Sequence, residues 1–395
     1  MSQFCFIPTL VAVLLFTSEL HAANDIEQLP VRGEWERTAD APLSNREGAS
    51  IAWSGSEIYV FGGTELLCPT NSTPLCRAPS SPPLANGAAA YNPLTDEWRL
   101  ITPPPVGVIG GQTATIGNDI FSLALGSFAP RSIHLLRYRS DLDIWDEFNL
   151  PENVDSGWII AFGTDIVFYN STDEAGPASD WLLDTMTGTW TKLPDDPLGP
   201  SFNRQYVAHD NTLYLFGHAL VPSPGGADGP SYLLAAKFQG LQWIELPAAD
   251  SIGSAPTLVS GDQLISPELG CADGGRINNY GRCIAYGAVF DTATETWHEL
   301  PNAPGRVTNY SFSSGGISAS GLVLFQSGYP ALDAVTNEWF IVPSIGIGLD
   351  RDRRIQSAGP YGFVFGGTAS GIDSPSRPLN DSQIWKPLLS WHTPQ

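Results

Sequence analysis

Beyond residue 22 the chain carries five histidines: His134, His209, His218, His298 and His392. None sits beside another at a metal-ligand spacing, so no metal site is expected from them. There is no nucleophile elbow and no glycine-rich phosphate loop. Serine-hydrolase and nucleotide-dependent chemistry therefore find no support, and no cofactor is expected. Four cysteines remain past residue 22, and four allow three pairings. Local pairing, Cys68 with Cys76 and Cys271 with Cys283, closes two short loops, each bridge restricting the unfolded chain by about 2.5–3 kcal/mol. A zinc centre fits these cysteines poorly, because their spacings are wrong and no histidine lies near them in sequence.

The 41 acidic residues outnumber 19 Lys plus Arg, for a formal charge of −22. Such a field repels nucleic acid and anionic membrane surfaces. It serves solubility, and calcium binding by carboxylates is the other use of it. Residues 1–22 read as a secretory leader, with the apolar run Ile7 to Phe16 and the small-residue end Leu20-His21-Ala22. That run is too short to span a bilayer, and no later segment is long and apolar enough. The expectation is a secreted or periplasmic protein, monomeric, with one domain over residues 23–395.

The elements that would position any site are short and repeated. Forty Gly and 33 Pro in 395 residues point to many turns and short strands. Val289-Phe290-Asp291-Thr292-Ala293-Thr294-Glu295-Thr296-Trp297 reads as strand, tight turn and a strand beginning on tryptophan. Copies occur at Tyr91–Trp98, Leu183–Trp190 and Leu332–Trp339. Trp35, Trp98, Trp145, Trp190, Trp243, Trp297, Trp339 and Trp391 form a ladder at intervals of roughly 42 to 63 residues. Between them lie seven apolar hairpins: Ala49–Gly63, Thr113–Leu125, Trp158–Tyr169, Gln205–Gly217, Pro256–Ser266, Tyr310–Gly328 and Ile355–Gly367. Each unit then has four short antiparallel strands, a to d, which is a β-propeller blade. Seven blades follow, with six as the alternative if one weak hairpin is something else. Trp35 is expected to supply the outer strand of the last blade; closure through Trp391 is the competing arrangement.

Arg46, then Ile58-Tyr59-Val60-Phe61-Gly62-Gly63, then Tyr91-Asn92-Pro93-Leu94-Thr95-Asp96-Glu97-Trp98 resembles a kelch repeat. Phe363-Val364-Phe365-Gly366-Gly367 repeats the Gly-Gly end, while Leu213-Tyr214-Leu215-Phe216-Gly217 keeps one Gly. The resemblance covers residues 35–391 and includes the galactose-oxidase central domain and the secreted sialate mutarotases. It implies an all-β, kelch-type propeller whose long b-to-c loops, 64–88, 170–180, 218–231, 268–286 and 368–382, share the ligand-binding face. It further implies channel-mouth arginines that bind anionic groups, matching Arg46, Arg204, Arg306 and Arg354. The alternative for these is an ion pair with a neighbouring acid such as Glu47 or Asp352. Trp181, Tyr232, Tyr280 and Tyr329 could stack on sugars, or pack between blades.

Function is open at this point between two classes. One is a binding module for a carbohydrate or protein partner through the long-loop face. The other is a mutarotase or epimerase of a sialic-acid-type sugar, with Glu47 or Glu268 as acid-base group beside Arg46 and Arg204. Copper-radical oxidation of the galactose-oxidase type is not expected, since local pairing accounts for every cysteine.

Overall fold

In several repeats the c-to-d turn is built by one side chain. Asn92 Oδ1 accepts from the backbone N–H of Leu94 and Thr95, Asp184 Oδ1 from Met186 and Thr187, and Asp291 Oδ1 from Thr294. The chain leaves the turn through a left-handed residue: Asp96, Asp143, Glu295 and Asn337 have φ of 54–56°. This is why Asp or Asn opens the motif in these repeats, and why Asp, Asn, Glu or Gly precedes most tryptophan strands; before Gln242–Leu246, Leu241 takes the same conformation at φ 67°. The tight a-to-b turn Asp210-Asn211 also has both residues left-handed, at φ 45° and 60°.

A computed structural model describes residues 29–65, 84–128, 131–152, 154, 156–170, 180–219, 233–249, 258–266, 288–299, 317–319, 322–324, 330–333, 336–345, 355–369 and 377–387. Among these residues the strands form seven four-stranded antiparallel sheets and one two-stranded ribbon, with no helix. The protein is an all-β propeller. Blade 1 is Ser50–Trp53, Ile58–Phe61, Ala88–Asn92 and Glu97–Ile101. Blade 2 is Ile109–Ile116, Asp119–Phe128, Arg131–Arg139 and Ile144–Phe148. Blade 3 is Trp158–Phe162, Asp165–Tyr169, Trp181–Asp184 and Thr189–Lys192. Blade 4 is Ser201–His209, Thr212–Ala219, Leu233–Gln239 and Gln242–Leu246. Blade 5 is Leu258–Ser260, Gln263–Ser266, Ala288–Asp291 and Thr296–Glu299. Blade 6 is Ile317–Ala319, Leu322–Leu324, Pro330–Asp333 and Glu338–Ile341. Blade 7 is Gln356–Ala358, Tyr361–Phe365 and Ser382–Lys386, completed by Glu34–Arg37 from the other end of the chain. Each of the seven expected hairpins contributes strands a and b of one sheet, so the six-bladed alternative would leave one of these sheets unassigned.

The core is divided among the junctions between blades. Tyr59, Phe61 and Ala90 of blade 1 bury against Val108, Ala124, Leu136 and Tyr138 on the blade 2 side. Similar clusters join blades 2 and 3, 3 and 4, 4 and 5, 5 and 6, 6 and 7, and 7 back to 1. The ladder tryptophans are half-buried and do more than fill these clusters. Six of their indole Nε1–H groups donate to a carbonyl just past the outer strand of the preceding blade. Trp98 donates to Ala39 (3.0 Å), Trp145 to Thr102 (2.8 Å), Trp190 to Asn149 (2.6 Å), Trp243 to Pro194 (2.9 Å), Trp297 to Pro247 (2.8 Å) and Trp35 to Pro343 (2.8 Å). In two blades the latch is reciprocal. Asp96 Oδ1 accepts from Ala39 N and from Tyr91 Oη, and Asp143 Oδ1 accepts from Thr102 N and from Tyr138 Oη.

Closure follows the expected route through Trp35, which stands opposite Trp385 in the register of blade 7. Trp391 lies outside the described residues. Arg32 reinforces the seam, donating to Asp333 (3.2 Å) and Glu338 (2.8 Å) of blade 6 while its guanidinium lies over Phe340. Gly33 sits at φ 72°, and a Cβ there would lie 2.3 Å from the Trp385 indole, so only glycine fits. Trp385 is fully buried. Trp385→Ala is expected to cost about 3–5 kcal/mol in urea unfolding. The exposed Trp158→Ala should stay within about 0.5 kcal/mol of the parent.

Candidate functional site

Strand a begins, strand b ends and strand c begins at the same end of every blade, so the b-to-c loops all leave from that end. The Gly-Gly close of strand b is a steric requirement there. A Cβ on Gly62 would meet Val108 at 2.6 Å, and one on Gly63 would meet the Glu47 carbonyl at 2.6 Å. A Cβ on Gly366 would meet the Arg46 carbonyl at 2.4 Å. The bare backbone lets the connection that leads to the next blade cross close over the inner strands, where Gly63 N donates to Val108 O and Gly367 N to Arg46 O.

Arg46 rides on that crossing and is buried. Its Nε donates to Ser44 O (3.1 Å), one terminal nitrogen to Gly62 O and Gly87 O (both 3.1 Å), and the other to Ser44 Oγ (2.8 Å) and Asn86 O (3.5 Å). All five guanidinium N–H groups are thus directed at protein oxygens. Burial lowers its pKa from the usual arginine value, and nearby Glu65 works against that shift. Glu47, the candidate acid-base group, is half-buried, and its backbone pairs with Thr64 in both directions.

Arg204 lies in blade 4, at a bulge between Phe202 and Gln205 where Asn203 is left-handed. It is a different register position from that of Arg46. Gln205, one residue on, faces Phe216, whereas Ser50, four residues past Arg46, faces the equivalent Phe61. One terminal nitrogen of Arg204 donates to Ser201 Oγ (2.8 Å), and the other donates to Asp196 (2.5 Å) and lies 3.9 Å from Asp180. Tyr206 Oη donates to the same Asp180 oxygen at 2.5 Å. Burial pushes the Asp180 carboxyl up to about 6, against the opposing pull of the Tyr206 hydroxyl and the Arg204 charge. Burial acts to lower the Arg204 pKa, but Asp196 and Asp180 outweigh it, and the net shift is upward. On the opposite side of strand b, His218 stacks on Phe202 with ring centres 5.0 Å apart. Its Nδ1 is buried without a hydrogen bond, and burial lowers its pKa to about 4.

The two arginines therefore occupy separate networks in blades 1 and 4. Arg306, Arg354 and Glu268 lie outside the described residues, as do Cys68, Cys76, Cys271, Cys283, Tyr232, Tyr280 and Tyr329. Trp181 packs into the junction of blades 2 and 3, as the inter-blade alternative for it expected.

The open concavity at this end lies between blades 2 and 3. It holds about 330 Å³ and is lined by Gly110, Gln112, Leu123–Leu125, Ile133, Ser156, Gly157, Trp158 and Asn170. Trp158 is 44% exposed. Gln112 Oε1 accepts from Ile159 N (2.9 Å), which fixes the start of strand a of blade 3. A Cβ on Gly157 would fall 2.2 Å from the Phe168 ring, so glycine sets the backbone just ahead of Trp158. The backbone N–H of Asn170 donates to Asp180 at 3.4 Å, joining one pocket wall to the Arg204 network. Sequence reasoning passed over Trp158 because it opens a hairpin; its signal was a tryptophan off the ladder. A larger cavity of about 530 Å³ lies by the c-to-d turn of blade 1. Three of its acids are already engaged, Glu57 by Arg99 and Tyr59, Asp96 by Tyr91 and Ala39 N, and Asp40 by Arg37. The smaller pocket is the better site.

No protein-family profile matches the chain. A stretch of 119 residues is 27% identical to the N-acetylneuraminate epimerase of Vibrio cholerae serotype O1, covering 30% of this chain and 28% of that protein. The chain thus matches less than a third of the length of that relative. Among the described residues no helix is long and apolar enough to cross a membrane.

The two shifted groups make opposite contributions to acid stability. Asp180, raised to about 6, holds its proton more tightly when folded, so its contribution grows as pH falls from about 6 to 4. His218, lowered to about 4, resists protonation when folded, so its contribution is lost over about pH 6.5 to 4. Asp180→Asn should therefore make stability fall more steeply between pH 6 and 4 in urea titrations, and His218→Phe should make it fall less.

Proposed function

We propose that the protein is an exported kelch-type carbohydrate-binding module whose site is the pocket between blades 2 and 3. The single observation behind this reading is the exposed Trp158 indole at the edge of a concavity with an apolar wall and two amide side chains, Gln112 and Asn170. Indole offers a flat apolar surface, and the Gln112 amide, whose Oε1 accepts from Ile159 N, still carries its NH2 donors; together these suit the mixed faces of a sugar. The volume is at the small end of the roughly 300–1,000 Å³ usual for small-molecule sites. That favours a terminal sugar of a glycan over a long chain. Export rests on the leader-like residues 1–22. A folded protein partner on the long-loop face is the other member of the same class.

The similarity to an N-acetylneuraminate epimerase favours a second reading, mutarotation of an acidic sugar. Arg46 and Arg204 weigh against it as carboxylate clamps. Arg46 has its donors occupied, and Arg204 is already paired with Asp196, so a substrate carboxylate would have to displace buried protein partners.

A glycan array followed by titration calorimetry tests the first reading. Trp158→Ala should weaken binding at least about tenfold with an unchanged unfolding midpoint. If no glycan binds, or if the variant binds as well as the parent, the pocket assignment fails. NMR exchange of sialic acid anomers tests the second: acceleration at micromolar protein would establish catalysis and overturn a purely binding role.

A further inference from the structure

At the opposite end of blades 4 and 5, the a-to-b turns bring three potential ligands together. His209 ends strand a of blade 4, Asp210 follows it in the turn, and Asp262 lies in the corresponding turn of blade 5. His209 Nε2 is 3.4 Å from Asp210 Oδ2 and 3.7 Å from Asp262 Oδ1, and all three atoms lie within 4.8 Å of one another. The imidazole is mostly buried, with 14% of its side chain exposed, and Nε2 itself has no contact with solvent. Yet Nε2 makes no hydrogen bond, although two carboxylates stand beside it. A buried ring nitrogen with acceptors nearby but out of line is expected to cost stability.

The same geometry suits a cation at the centre. A point equidistant from atoms so spaced lies roughly 1.9–2.4 Å from each, which brackets the 2.0–2.2 Å of zinc–nitrogen and zinc–oxygen bonds. We propose that His209, Asp210 and Asp262 form a divalent transition-metal site that clips blade 4 to blade 5. Imidazole together with carboxylate selects zinc-like ions over calcium, which takes oxygen ligands. The exposed carboxylates, 80% and 65% accessible, provide the entry path and leave the remaining coordination positions to water. Asp262 is held for this role through its backbone, whose carbonyl accepts from Thr292 N (2.8 Å) and Thr292 Oγ1 (2.9 Å). The site is independent of the glycan pocket, which lies at the other end of blades 2 and 3.

Titration calorimetry with Zn²⁺ on the EDTA-treated full-length protein tests the proposal. One equivalent should bind, and His209→Gln and Asp262→Asn should each weaken binding at least about tenfold while circular dichroism stays unchanged. His134→Gln, which removes the imidazole paired with Glu147 on blade 2, should bind as the parent does. No binding by the parent, equal binding by both site variants, or loss in the His134 variant instead would each overturn it. Asp262 is exposed enough that its variant should fold; if His209→Gln does not fold, Asp262→Asn alone decides.

Discussion

A four-stranded sheet with apolar residues on both faces has no side to give to water. Each blade buries one face against the blade before it and the other against the blade after it. Only a closed ring satisfies that condition for every member. The tryptophan latches belong to this constraint. An indole half-buried between blades needs an acceptor, and the carbonyl just past the preceding outer strand is the oxygen it meets. The hydrogen bond converts non-directional burial into a fixed offset between neighbours, repeated in six junctions with donor–acceptor distances of 2.6–3.0 Å.

The ring also decides what can become a site. Inner-strand residues are crowded by the crossing connection, so a charge placed there must be satisfied by the protein. Arg46 meets carbonyls and Arg204 meets carboxylates, and both hold adjacent segments in place. Concavity survives only where two neighbours fail to fill their shared edge, as at Gly157 and Trp158. Where inner turns meet at the far end, polar groups are forced together instead, and His209 faces an aspartate from the next blade.

Architecture was legible because several repeats announce themselves by local chemistry. An Asp or Asn starts a turn that Asp184 and Asn92 close by their own side chains, and the tryptophan follows at fixed distance. Even the closing strand could be read, since Trp35 preceded its hairpin. The site was less legible because its contacts join residues that no local pattern relates. Arg46 and Arg204 looked equivalent as residues opening strand a, but a bulge at Asn203 shifts one against the other. Trp385, which seals the ring, falls outside the tryptophan ladder and carries no turn motif ahead of it. His209 and Asp262 are brought together only by the packing of one blade on the next.

The seam between Glu34–Arg37 and Ser382–Lys386 has a kinetic side. Lys386 pairs with Glu36 across 350 residues of sequence, whereas the hairpins inside each blade close over a few. Lengthening a loop from about 50 to 350 residues adds only about 1.7 kcal/mol of closure entropy, at about 0.6 kcal/mol per doubling. The larger obstacle is order of events: blade 7 has a bare edge at Ser382–Lys386 until the first strand returns to it. During that interval the unpaired edge can accept the same strand from a second chain. Exchange of Glu34–Arg37 between two copies is thus the natural misassembly of this ring, and the Arg32 pairs with Asp333 and Glu338 of blade 6 hold the strand equally well in either arrangement.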